Sequence, residues 1–156
     1  MRIFIFTLLL LFPLASNAQS TTKPKTADPD KMVRKFAEMH QQLMPVVAVA
    51  DMFYGCNISS EQTQFSLQNL IHNMDKDVLA TKLSNCLGEE NIASDKALNF
   101  GLQGCFIDQM SHLPDAQRKQ RLLEVNDIIK LLPRAERQKS FTQCVNNQTL
   151  KYLNQD

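Results

Sequence analysis

The sequence predicts an all-α protein, a six-helix disulfide-stapled bundle built from two repeated three-helix units. Three observations carry this reading. Apolar residues recur at helical spacing from Pro29 onward, with no run of alternating β-branched residues, no Asn-Gly or Asp-Gly hairpin turn and only four glycines. Four cysteines follow what reads as an export signal, and an even count in an exported chain implies two disulfides. Two long stretches of the chain also echo each other, cysteine for cysteine.

The ends set the compartment. Residues 1–18, "MRIFIFTLLLLFPLASNA", carry one positive charge at Arg2, an apolar run from Ile3 to Leu14, and small residues at Ser16 and Ala18. This is the pattern of a secretory signal peptide, and the apolar run is too short to span a membrane. Cleavage is expected after Ala18. Residues 19–28 are polar without apolar period and read as a flexible leader. Residues 29–156 are then a single helical domain, with the repeats at 29–88 and 94–154. The expected location is the periplasm, with secretion to the outside as the alternative.

Removing residues 1–18 leaves 138 residues with 16 basic and 16 acidic side chains, a formal net charge of zero. No global charge draws the protein to nucleic acid or to an anionic membrane, and neither is expected as a partner. The charge is uneven, −5 over residues 51–112 and +3 over residues 113–156. Solvated helix faces account for most such patterns.

The first helix starts at Asp28-Pro29, with proline suited to the first turn. Met32, Phe36, Met39, Leu43 and Val47 give it an apolar stripe, and Pro45 should kink or split it. After Pro45, "VVAVADMFYGC" is apolar on nearly every side, the mark of a central element. The second helix is expected from Ser59, with Gln62 completing a capping box, and with Phe65, Leu67, Leu70, Ile71 and Met74 inward. The third turns Val78, Leu79, Leu83, Cys86 and Leu87 inward and stops at Gly88. The fourth is capped by Ser94 and runs to about His112. The fifth starts at Leu113-Pro114 and buries Leu122, Val125, Ile128, Ile129 and Leu132. The sixth starts at Pro133 and buries Phe141, Cys144, Val145, Tyr152 and Leu153.

Sliding the second and third helices forward by 58 residues sets Phe65 on Leu123, Ile71 on Ile129, Leu83 on Phe141 and Cys86 on Cys144. An offset of 49 sets "AVADMFYGC" on "ALNFGLQGC", and so Cys56 on Cys105. Amphipathic helices resemble each other by nature, but that resemblance does not require both cysteines of each half to align in order. Short connections make neighbouring helices antiparallel, and at about 1.5 Å per residue Cys105 and Cys144 then return to one height, as do Cys56 and Cys86. The expected bridges are Cys56–Cys86 and Cys105–Cys144.

Known chemistries find few footholds. His40, His72 and His112 lie outside any metal spacing, and lone helical histidines are usually boundary residues. With Cys56, Cys86, Cys105 and Cys144 paired, no cysteine nucleophile is left. "DKD" at 75–77 lacks the other ligands of a calcium loop, and Glu89-Glu90 reads as a solvated helix end. Gly101 and Gly104 suggest close helix packing beside Cys105. Asn57 and Asn147 sit in glycosylation sequons that matter only in a eukaryotic secretory route. Met39, Met44, Met52, Met74 and Met110 read as core filler before pocket lining.

No catalytic, metal or cofactor site is therefore expected. The function expected is that of an exported non-enzymatic interaction protein, of inhibitor, immunity or adaptor type, whose partner is another protein. The alternative is a carrier of a small apolar ligand within the bundle, and an enzyme with an unrecognised site ranks last. The basic start of the sixth helix, Arg134, Arg137 and Lys139, is the candidate partner surface.

Overall fold

The computed structural model describes residues 29–58 and 65–153, and every regular element among them is an α-helix: α1 (Pro29–Asn57), α2 (Leu67–His72), α3 (Lys76–Leu87), α4 (Asp95–Gln109), α5 (Asp115–Leu131) and α6 (Arg134–Leu153). The expected signal peptide, the leader and the Ser59–Gln62 capping box lie outside the described residues. No described helix is long and apolar enough to cross a membrane.

Local chemistry starts and stops each element. Ser66, in extended conformation, accepts a hydrogen bond from the Asn69 amide at 3.2 Å and opens α2. Among the described residues α2 thus begins at Leu67, because Ser66 meets the free amides of the first turn. Asp75 caps α3 by accepting from the Asp77 and Val78 amides at 3.0 and 3.1 Å, which gives the "DKD" stretch its role. Gly88 closes α3 at a φ of 70°, in the left-handed region that favours glycine. Ser94 caps α4 as expected.

Helix α1 is the axis of the fold. It packs on α4, α3, α6 and α2, and α4 packs in turn on α6 and α5. The expectation that Pro45 could split α1 is corrected: the helix runs unbroken through it. An internal proline costs about 3 kcal/mol. Val46, Val47, Ala50, Met52 and Phe53 follow it directly and are buried, and packing five such side chains outweighs that cost.

Two further expectations are corrected. Val78 is exposed, because α3 turns Leu79, Leu83 and Leu87 to the core instead. On α5 only Ile129 is buried; Leu122, Val125 and Leu132 are half-buried and Ile128 is exposed. Helix α5 lies at the edge of the bundle, chiefly against α4, so one narrow face suffices. Leu153 and Met74 are likewise half-buried.

The disulfides join Cys56 to Cys86 and Cys105 to Cys144, each with Cα atoms 6.4 Å apart. In each half the bridge ties a long first helix to the last helix. The halves also meet reciprocally. A Cβ on Gly55 would run into the Phe100 carbonyl oxygen, and one on Gly104 would run into that of Asp51. The offset of 49 that sets Cys56 on Cys105 sets Gly55 on Gly104 and Asp51 on Phe100. Each glycine therefore touches the counterpart of the residue that touches the other, the contact pattern of a two-fold axis.

Candidate functional site

The expected partner surface is largely committed within the molecule. Arg134 donates to Asp95 and to the Ala93 carbonyl, both at 2.6 Å. Arg137 donates to Asp95 at 2.8 Å and to Asn99, and only 12% of its side chain is exposed. These two arginines clamp the start of α6 to the start of α4, and Lys139 remains exposed. The histidines are separate from one another: His72 meets the Tyr152 ring edge-on at 5.8 Å, His112 contacts the Gln109 carbonyl, and His40 lies beside Phe36. Gly101 and Gly104 are packing glycines, as expected; a Cβ on Gly101 would stand 2.5 Å from the Phe141 ring. Among the described residues no cluster of three or more His, Cys, Asp or Glu is arranged to hold a metal ion.

Two features remain. The first is the free half of α1. Residues 29–39 are all exposed, and they present Met32, Val33, Phe36 and Met39 at 63%, 67%, 47% and 39% exposure. Met32, Phe36, Met39 and Leu43 follow the alternating four- and three-residue steps of a helix–helix seam. The same steps continue to Val46, Ala50 and Phe53, which are buried. One stripe thus runs along α1, covered in its second half, half-buried at Leu43 and bare from Met32 to Met39, over about 10 Å.

The second feature is a polar cluster inside the bundle. Asp51 of α1 is fully buried. Gln148 of α6, also buried, donates through Nε2 to Asp51 Oδ1 at 3.2 Å and to Asp108 Oδ2 of α4 at 3.3 Å. Asp108 further accepts from Lys151 Nζ at 2.9 and 3.1 Å and from the Tyr152 hydroxyl at 2.9 Å. One acid therefore gathers three donors from α6, and the other meets a single amide. Burial pushes the Asp51 carboxyl well above the usual carboxylate range; the Gln148 hydrogen bond and Lys151 oppose this, and the Asp108 charge adds to it. Burial, then Asp108, raises the Tyr152 phenol, and burial also raises that of Tyr54 against the pull of Arg118.

A cavity of about 260 Å³ opens beside the cluster, lined in part by Tyr54, Ile107, Asp108, Arg118, Lys151 and Tyr152. Its cations are already engaged, Lys151 by Asp108 and Arg118 by Asp115. The cluster's chemistry is therefore that of hydrogen bonding between helices.

Sequence reasoning missed both features as sites. The arm was legible as a stripe, and its exposure depends on where the other helices end. Asp51 did leave a signal: it is the lone acid inside "VVAVADMFYGC", where every neighbour argues for burial. Nothing near Asp108 or Gln148 marks them, since they lie 57 and 97 residues downstream of Asp51. No protein-family model matches this chain, nor does any curated protein or solved structure match it.

Proposed function

We propose that this is an exported, non-enzymatic interaction protein of the periplasm, of inhibitor, immunity or adaptor type, that engages a helix of a partner protein through the free half of α1. One observation carries the reading: the bare stripe Met32, Phe36, Met39 runs through half-buried Leu43 into the stripe that the bundle itself covers at Val46, Ala50 and Phe53. Helices cover the second part, and a helix with an aliphatic seam fits the first by the same packing. Methionines at two of the three bare positions suit such a surface, being unbranched and adaptable. The signal-like residues 1–18 and the two disulfides support export. In the same reading, residues 29–88 and 94–154 are copies of one three-helix unit. Their reciprocal glycine contacts and like-placed disulfides support this.

The test uses residues 19–156 with disulfides intact as bait in periplasmic extract, beside Phe36→Glu, with a photo-crosslinker at Met39. One protein should be held by the parent chain, lost with Phe36→Glu, and cross-linked through a helix. Equal capture by both chains would sink the arm as the binding surface. Sedimentation of the bait alone tells whether a second copy is that partner. Native mass spectrometry of the purified chain reads out the alternative, a carried apolar ligand.

A further inference from the structure

We propose that Asp51 carries a proton and forms with the Gln148 side chain a closed acid–amide pair that locks α1 to α6.

The argument starts from two bare atoms. Gln148 Nε2 donates to Asp51 Oδ1, which is one half of a pairing. The other two polar atoms of the same groups, Asp51 Oδ2 and Gln148 Oε1, are both buried and both without a hydrogen-bond partner. An ionised carboxylate only accepts, and an amide oxygen only accepts. Ionised Asp51 thus leaves two buried acceptors stranded. One proton on Oδ2 makes that oxygen a donor and gives it Gln148 Oε1 to donate to. A neutral acid and a primary amide then complement each other through two hydrogen bonds in a ring.

The surroundings favour the neutral acid. From α4, Asp108 shares the same Gln148 Nε2, so a second negative charge at Asp51 would face a like charge across one amide. From α6, Lys151 makes its ion pair with Asp108, as does the Tyr152 hydroxyl its hydrogen bond. From α1, Tyr54 is the remaining titratable neighbour, and His72 of α2 lies behind Tyr152. Asp51 is fully buried, and its own backbone carbonyl lies against Gly104 at the crossing of α1 and α4.

The lock should respond to pH with a definite sign. A carboxyl whose folded-state pKa lies above its unfolded value stabilises the fold fully below the unfolded value. That stabilisation is lost as pH rises through the folded value.

Asp51→Asn is the discriminating variant, because asparagine offers Nδ2–H to Gln148 Oε1, accepts from Gln148 Nε2 and cannot ionise. Thermal unfolding of the disulfide-intact chain, residues 19–156, is followed from about pH 5 to about pH 9. The parent chain should lose stability as pH rises, and Asp51→Asn should match it at the acid end and lose less. Parallel profiles for the two chains would overturn the proposal. A carbon NMR titration of the Asp51 carboxyl in the parent chain decides independently, even where the variant folds poorly. The shift of a neutral acid at pH 7 is the expected result, and that of a carboxylate rejects it.

Discussion

Gly55 and Gly104 face each other across the crossing of α1 and α4, where a Cβ on Gly55 would stand 3.0 Å from the Gly104 backbone nitrogen. Helices α1 and α4 approach backbone to backbone at this point. The disulfides leave α1 and α4 at the adjacent positions, Cys56 and Cys105, so the closest approach and the two bridges lie at one level of the bundle.

Substitution at this crossing should be graded by what the new methyl group meets. At Gly104 and Gly55 it meets backbone, which cannot yield without moving a helix. Gly104→Ala should cost at least about 2 kcal/mol, in the upper part of the usual range for overpacking. At Gly101 it meets the end of the Phe141 ring, which can swing aside. There the gain of up to about 1 kcal/mol from replacing a helical glycine offsets much of the strain. Denaturant unfolding of the variants should rank Gly101→Ala well above Gly104→Ala, and equal losses would show that the crossing is not this tight.

The bridge between Cys105 and Cys144 closes a separation of 39 residues and that between Cys56 and Cys86 one of 30. Loop closure gives each about 2–4 kcal/mol. The double variant Cys105→Ala/Cys144→Ala should lower the unfolding midpoint accordingly. Peptide mapping of the parent protein should recover the two pairs within halves; a fragment joining Cys56 to Cys105 would contradict them.

Asp108 holds three α6 side chains, and Asp108→Ala should leave the Tyr152 hydroxyl without its acceptor, while Gln148 keeps Asp51 and Lys151 turns to solvent. The loss should be about 1–3 kcal/mol, the range for a buried polar group left without its partner. Asp108→Asn offers a second readout. The Tyr152 phenol is raised first by burial and then by Asp108, so ultraviolet titration should show it ionising at lower pH in the variant while staying above an exposed phenol. An unchanged titration would mean that burial acts alone.

Phe36→Glu should behave oppositely to these variants. Its ring is exposed on the free half of α1 and stands beside His40. Stability should change by less than about 0.5 kcal/mol while partner capture is lost. A large fall in the thermal midpoint would show that the arm is held by the bundle after all.

The features legible in the sequence are those that depend on neighbours along the chain. Helix content, the Ser94 cap, the Gly88 stop and the inward Leu79, Leu83 and Phe141 follow from periodicity and capping chemistry. The disulfide partners were legible as well, because short connections between antiparallel helices convert sequence distance into height. Reading failed where two helices compete for one face. Val78 sits on a helix whose period allows it inward, and Leu79 took that place. Ile128 lost its cover because α5 ended up at the edge. At the basic start of α6 the structure adds what the sequence could not show, that Asp95 lies within reach of Arg134 and Arg137.

By itself, then, the sequence determined that this chain is helical and stapled twice, because helix period, capping and cysteine spacing act over a few turns. Tertiary structure alone decided that α1 survives Pro45, that its first half stands bare, and that Asp51, Asp108 and Gln148 meet. Each of these depends on where distant helices arrive, and a buried acid acquires its character from side chains that chain distance does not reveal.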